Sequence, residues 1–356
     1  MLLWSGRLFR LRRGTIVDAA GSAGLPEAAA ASPRWFPFAL DPDTDRVLLV
    51  AKSEAEYRAD SFLDQRSLRP DAERRTVGWA ELAGALPADA RRDVQYIFHI
   101  GHVGSTLVSR LLGEMDGVFA LREPMLLRTF AEMPAGWTAP RLDPLTALLS
   151  RTFRPDQRAL VKATSFTSEM ADRLVPPGSR ALFLFATPAH YIENILAGDN
   201  SRQELHLLSP GRIERLRTRC PDLTWELERL SEARRAALGW ACEMTSLERS
   251  AAAMAPGDVM WMDFDRFLTE PAGHLAEIAR FFGHSLDHDA AAAICAGPLM
   301  GRYSKAPEFE YTPALRRDVL AEARFMHGPA IRDALLWLEE AGRRYPAIGS
   351  AIRRAQ

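Results

Sequence analysis

Val94-Gln95-Tyr96-Ile97-Phe98-His99-Ile100-Gly101-His102-Val103-Gly104-Ser105-Thr106-Leu107-Val108-Ser109-Arg110-Leu111-Leu112 is the stretch from which the rest of the chain is read. Val94 to Ile100 is a β-rich run, bounded by charge before it and glycine after it, and it predicts a buried strand. Leu107, Val108, Leu111 and Leu112 then recur at helical spacing. Between the two elements, Gly101 and Gly104 let the backbone turn sharply and approach a ligand with no Cβ in the way. Ser105 and Thr106 fall where the first helical amides have no internal partner. Those amides and the positive end of the helix dipole make an anion site, most often for phosphate. An ordinary strand–turn–helix corner capped by Ser-Thr accounts for the same residues without a ligand. The loop is not a Walker A motif, since two residues separate its glycines and no lysine precedes Ser105.

Whole-chain properties bound the reading. A length of 356 residues predicts one large domain with an appendage, or two domains. With 47% hydrophobic and 26% charged residues the chain can bury a sizeable core. A net charge of −1 gives no indication of bulk nucleic-acid binding, although a few placed groups can still form a local anion site. Cys220, Cys242 and Cys295 lack metal-ligand spacing and are expected to be reduced and structural. No run of 18 apolar residues occurs, and Met1 to Arg13 interleaves arginine with short apolar pieces. A membrane span is excluded on that ground, a signal peptide is not expected, and the expected location is cytoplasmic. Of 45 basic residues only Lys52, Lys162 and Lys305 are lysines. A lysine kept against such a bias points to a need for a compact, mobile ammonium rather than a planar guanidinium.

The chain divides at about residue 92. Residues 1–92 are expected to form an N-terminal accessory module: a basic-apolar patch, an Ala-rich tract from Ala19 to Ser32 read as a loose connector, a strand at Arg46–Val50, a charged helix, and a short helix carrying Trp79, Leu82 and Leu86. Residues 93–356 alternate strands and helices. After the loop helix come strands at Val118–Leu121, Leu160–Lys162, Ala181–Phe185 and Val259–Met262. Helices are expected at Ser165–Leu174, His190–Leu196, Leu223–Met254, Gly273–Phe282, Ala290–Cys295, Ala314–Ala323 and Ala330–Arg343. This alternation predicts an α/β fold: a parallel sheet with helices on both faces, plus a small N-terminal α+β module. Ligands in such sheets bind at the carboxyl ends of strands, so one cleft could collect Gly104, Glu123, Lys162 and Ala186.

From Val94 to about Tyr311 the chain resembles the PAPS-dependent sulfotransferases, whose P-loop-type 5′-phosphosulfate loop runs Arg/Lys-Ser-Gly-Ser/Thr-Thr-Leu/Trp. His102-Val103-Gly104-Ser105-Thr106-Leu107 matches it, with His102 in place of the basic residue and Val103 in place of the first serine. Met262-Asp263-Phe264-Asp265-Arg266-Phe267-Leu268-Thr269-Glu270-Pro271, then Leu275 and Phe281-Phe282-Gly283, is similar to the family's Tyr-Glu-Asp-Leu…Pro…Leu…Phe-Leu-Gly stretch, whose work is mostly packing. Without a membrane anchor the chain looks more like the soluble bacterial members than the Golgi ones. The resemblance leaves the first ninety or so residues without a counterpart.

That resemblance implies sulfuryl transfer from PAPS to a hydroxyl or amine acceptor, with Gly101, His102, Val103, Gly104, Ser105, Thr106 and Leu107 holding the 5′-phosphosulfate. Glu123, after the second strand of the series, sits as the family's glutamate base does; a carboxylate beside the donor loop can take the acceptor proton. Without a substrate, the same glutamate would simply pair with Arg122 or Arg128. Lys162 ends its strand like the lysine that contacts the transferring sulfonate in relatives, where a cation stabilises charge growing on the bridging oxygen. His102 can donate to a phosphate oxygen, and a nearby dianion would favour its protonation. Arg302-Tyr303-Ser304-Lys305 with Tyr311 could close over a nucleotide, which makes Ser304 and Lys305 donor-site candidates.

One segment departs from the family. Its second cofactor motif, Arg-Asp/Asn-Pro-Arg…Ser, holds the 3′-phosphate, whereas here the strand ends in Ala186-Thr187-Pro188-Ala189 and Asn194 takes the serine-like place. Asn194 and Arg202 are the candidates left for that contact. His284, Asp287, His288 and Asp289 read as a capped helix start rather than a metal site, and no metal is expected. Two other readings stay open: a nucleotide-dependent phosphotransferase, kept alive by Met262-Asp263, and a non-catalytic nucleotide-binding protein, motivated by Ala186 and Ala189. The partners implied are a nucleotide donor and a small-molecule or peptide acceptor.

Overall fold

In the computed structural model, residues 24–302 and 310–356 are described. Their strands are β1 (Trp35–Asp41), β2 (Arg46–Ala51), β3 (Arg74–Gly78), β4 (Gln95–His99), β5 (Val118–Arg122), β6 (Arg158–Lys162), β7 (Ala181–Phe185) and β8 (Val259–Asp263). The first three form an antiparallel sheet in the order β1-β2-β3, and the other five form one sheet in the order β5-β6-β4-β7-β8. The pairs β5–β6 and β7–β8 are parallel. The fold class is α/β, with helices flanking the five-stranded sheet as the alternation of elements predicts. β4, β5 and β7 are buried at every position, which is why their central residues read as continuous apolar runs rather than alternating ones.

Two compact units divide the described residues. One takes the chain up to Tyr96 together with Leu112–Thr167 and Arg173–Ser179; the other takes Ile97–Leu111, Ser168–Asp172 and Arg180–Gln356. The first holds the antiparallel sheet. It also holds a helix, Leu25–Ala31, inside the tract expected to be a loose connector. The correction has a physical cause: Ala29 and Ala30 are buried, and the guanidinium of Arg151 donates to the carbonyls of Ala29, Ser32 and Trp35. Burial pulls the Arg151 pKa down to about 10, a cost met by those three acceptors.

The second unit is mostly helical, and three expectations change there. Leu223–Met254 is not one helix, since the helix runs Glu232–Ala252, capped by Ser231, which accepts the Arg234 N–H at 3.3 Å. A helix at Asp199–Arg217, with Pro210 inside it, has no counterpart among the expected helices. The two helices expected at Ala314–Ala323 and Ala330–Arg343 are a single helix, Pro313–Arg344. Pro329 inside it removes the N–H that would reach the Phe325 carbonyl. Phe325 is 85% exposed, so water can satisfy that carbonyl. His288–Ala296 begins as expected for a capped helix, with Asp287 accepting the Ala290 N–H at 2.8 Å.

The long helix turns back on Pro346–Arg354 through two glycines. A Cβ on Gly349 would lie 2.6 Å from the Gly342 carbonyl oxygen, which is backbone and cannot move aside. Gly349→Ala should therefore lose about 1–3 kcal/mol, the usual cost of overpacking. Gly211→Ala, where a Cβ meets nothing within 4 Å, should instead gain about 0.5–1 kcal/mol by removing a helix glycine. Urea denaturation of both variants checks the pair, and equal effects would overturn the packing argument.

Candidate active site

The loop after β4 is built within the second unit. The Ile100 N–H donates to the Leu184 carbonyl at 3.3 Å, and the Gly101 N–H to His99 Nδ1 at 3.0 Å, which fixes the exit from the strand. Gly101, His102 and Gly104 then take left-handed φ angles of 84°, 54° and 62°. A non-glycine residue held there stores strain that surrounding contacts must hold in place. At His102 the contacts are visible: Asn194 Nδ2 donates to its carbonyl at 2.8 Å, and Glu204 Oε2 lies 3.4 Å from its Nε2. Asn194 therefore braces the loop with the amide that the sequence assigned to a nucleotide.

The Gly104 carbonyl accepts the Val108 N–H at 3.1 Å and starts the helix Ser105–Gly113. Ser105 and Thr106 in its first turn are buried, and Thr106 Oγ1 has no hydrogen-bond partner among the described residues. An orphaned hydroxyl beside the free amides of a first helical turn is the kind of donor set that a phosphate-like anion completes. The side chains of Val103 and Leu107 are buried in the core, so what these two residues can offer a ligand is their backbone.

Gly104 has a reason the sequence did not show. A Cβ there would fall 1.9 Å from the Phe264 ring, so the glycine makes room for an aromatic side chain as well as for the turn. Over that ring, 5.2 Å from its centroid, lies Arg316. Arg316 and His190 both grip Asp265, through Nε at 3.0 Å and Nδ1 at 2.9 Å. Burial raises the Asp265 pKa, but the bonds from His190 and Arg316 outweigh it and bring it down to about 2. The same bond from Asp265 raises the His190 pKa against the opposing effect of burial. The neighbouring Asp263, which kept a phosphotransferase open, caps a helical turn by accepting the Arg266 N–H at 2.8 Å.

In the first unit, β5 and β6 set Arg122 opposite Lys162, and the Glu123 N–H donates to the Lys162 carbonyl at 2.6 Å. Glu123 itself has a φ of 49°, the second strained candidate residue. Its Oε1 pairs with the Lys162 ammonium, whose side chain is 1% exposed, and its Oε2 lies 3.5 Å from Arg128. Arg122 turns away to donate to the carbonyls of Tyr57, Arg58 and Asp60. The Leu63 N–H donates to the Arg122 carbonyl at 2.7 Å, and the Met125 N–H to the Leu63 carbonyl at 2.9 Å. The segment from Tyr57 to Asp64 is thus stitched to Glu123. It brings Phe62, 5.9 Å from Lys162 Nζ, and Asp64, 3.5 Å from Arg128. Sequence reasoning missed Phe62 and Asp64, since no local pattern links residues sixty positions apart.

Arg202 pairs with Asp199 and, at 3.7 Å, with Glu232. Ser304 and Lys305 lie outside the described residues. Among the described residues no helix is long and apolar enough to cross a membrane.

Compared with protein-family models and with curated proteins, the chain matches none. It is similar to solved sulfotransferase structures. The sulfotransferase domain from the curacin biosynthetic pathway is 12% identical, with TM-score 0.38, over 63% of this chain and 85% of that one. Mouse sulfotransferase SULT7A1 complexed with PAP is 11% identical, with TM-score 0.38, over 74% and 89%. The sulfotransferase from Alicyclobacillus acidocaldarius is 14% identical, with TM-score 0.35, over 68% and 96%. At these scores the likeness carries no inference about this chain's chemistry.

Two measurements check the site. Gly104→Ala forces a Cβ both into the left-handed region and into Phe264, so it should lower the unfolding midpoint. Phe264→Ala in the same chain should restore part of the loss, and no recovery would mean that Phe264 is not what the glycine accommodates. His190 should titrate by NMR above the ordinary value of about 6.5 and fall back toward it in Asp265→Asn. Because the imidazolium is favoured in the folded state, the His190 contribution is complete below its unfolded pKa and fades as pH rises through the folded one, while the Asp265 contribution is complete above its unfolded pKa and fades as pH falls toward about 2.

Proposed function

We propose that the protein transfers a sulfuryl group from PAPS to a hydroxyl or amine acceptor. The observation that carries this reading is the buried, unpartnered Thr106 hydroxyl in the first turn after a left-handed glycine loop. Backbone amides of Ser105 and Thr106, the Thr106 hydroxyl and His102 would hold the 5′-phosphosulfate end. PAPS supplies an activated S–O bond; the residues of the chain position it, exclude water and move one proton. As the bond from sulfur to the bridging phosphate oxygen breaks, negative charge grows on that oxygen, and Lys162 is the cation assigned to it. As the new bond from sulfur to the acceptor forms, the acceptor proton passes to Glu123. Residues 1–92 would serve as an accessory module that supports this pair through Phe62 and Asp64.

The 3′-phosphate is the weaker part of the fit. Ala186 and Ala189 bring no charge, Asn194 is engaged with the His102 carbonyl, and Arg202 with two carboxylates. PAP is therefore expected to bind only modestly better than AMP in calorimetric titrations.

The roles of Glu123 and Lys162 are tested together. Glu123→Gln should lower turnover by about 10²–10⁴-fold, the range for losing a general base. It should also destabilise the protein, because it leaves a buried ammonium without its counter-charge, a loss of about 3–5 kcal/mol. Adding Lys162→Met should restore stability but not turnover, which separates the chemical role from the structural one. Lys162→Ala alone should depress turnover more than donor affinity, while keeping the acidic limb of the rate profile that Glu123→Gln abolishes. Normal turnover in the Glu123→Gln variant would exclude this base.

A further inference from the structure

Arg128 is the least satisfied cation around Glu123. Its side chain is 15% exposed, and its Nε is buried with no hydrogen-bond partner. Its guanidinium reaches Glu123 Oε2 and Asp64 Oδ2 only at 3.5 Å each, the outer limit of a hydrogen bond. Both carboxylates are already claimed. Glu123 Oε1 holds Lys162, and Asp64 holds Arg66 through Oδ1 to Nε at 2.9 Å and Oδ2 to Nε at 3.1 Å. Glu132 also feels the Arg128 charge, but no hydrogen bond joins the two among the described residues. A mostly buried guanidinium with a planar fork and its two partners at the outer limit of a hydrogen bond is suited to a bidentate oxyanion.

Position gives this a direction. Lys162 occupies one oxygen of Glu123 and Arg128 flanks the other. Under the sulfuryl-transfer reading, on which this inference rests, Lys162 serves the donor, which leaves the oxygen of Glu123 on the Arg128 side to an acceptor hydroxyl. We infer that the acceptor carries an anionic oxygen group, carboxylate or phosphate, close to its reacting hydroxyl, and that Arg128 binds that group. The Phe62 ring, with the Arg66 guanidinium 3.5 Å from its centroid, supplies the apolar flank of the same wall.

The test measures binding apart from turnover. Two matched pairs are titrated by ligand-observed NMR, with and without saturating PAP: 3-hydroxybutyrate against its methyl ester, and glycerol 3-phosphate against glycerol. At least one anionic member should bind about 10–100-fold tighter than its neutral match, as expected for a charge-assisted bond, and which pair responds separates carboxylate from phosphate. Arg128→Gln should erase that preference and Arg128→Lys retain part of it. Equal binding within both pairs by the wild-type protein overturns the inference even if the variants fail to fold, and so does a preference that survives Arg128→Gln. A preference that holds without PAP, in a protein that binds no PAP, would retain the anion site and overturn the proposed donor instead.

Discussion

The wall around Glu123 depends on a buried ammonium that needs a counter-charge. Lys162 is almost wholly out of water, so the carboxylate that meets it must be held in one place. The backbone does this by taking Glu123 into the left-handed region immediately after β5, with its N–H tied to the Lys162 carbonyl. The preceding residue, Arg122, is thereby directed into the Tyr57–Asp60 segment, where it donates to three carbonyls. One charge pair thus fixes a strained residue, a strand end and the chain segment packed on them. Strain of this kind persists only where its surroundings over-determine it.

The loop after β4 follows a similar logic with different parts. Its left-handed residues are held by Asn194 from one side and by the packing of Phe264 against Gly104 from the other. Phe264 is in turn covered by Arg316, whose charge is balanced by Asp265 and shared with His190. A glycine that looks like a ligand contact is therefore also a packing residue. The free chemistry of the loop is concentrated at the first helical turn, with Thr106.

Much of this was legible in the sequence. The strands β4 to β7 announce themselves as short, largely apolar runs, because a parallel sheet buries both faces of its strands, whereas β8, at the end of the sheet, is only partly buried. The loop and the strand-end positions of Glu123 and Lys162 follow from the same pattern. What was not legible depends on contacts distant in sequence. The flexibility expected of the Ala-rich tract fails at Ala29 and Ser32, because Arg151, over a hundred positions on, donates to both carbonyls. Pro329 falls between two helices the sequence predicts, yet it sits within a single helix that tertiary packing carries through. Arg128 was already a local partner for Glu123 in the sequence, but Asp64 carries no local signature, and only the fold brings it to Arg128.

The scarcity of lysine has a practical consequence. Lys52 is 4% exposed and paired with Asp60 at 2.6 Å, and Lys162 is 1% exposed and paired with Glu123. Among the described residues these are the only primary amines on side chains, and both are sealed in the same unit. At these two lysines an acylating reagent applied to the folded protein therefore samples opening events rather than surface. Its rate at Lys162, followed by mass spectrometry, becomes a clock for how often the wall around Glu123 breathes.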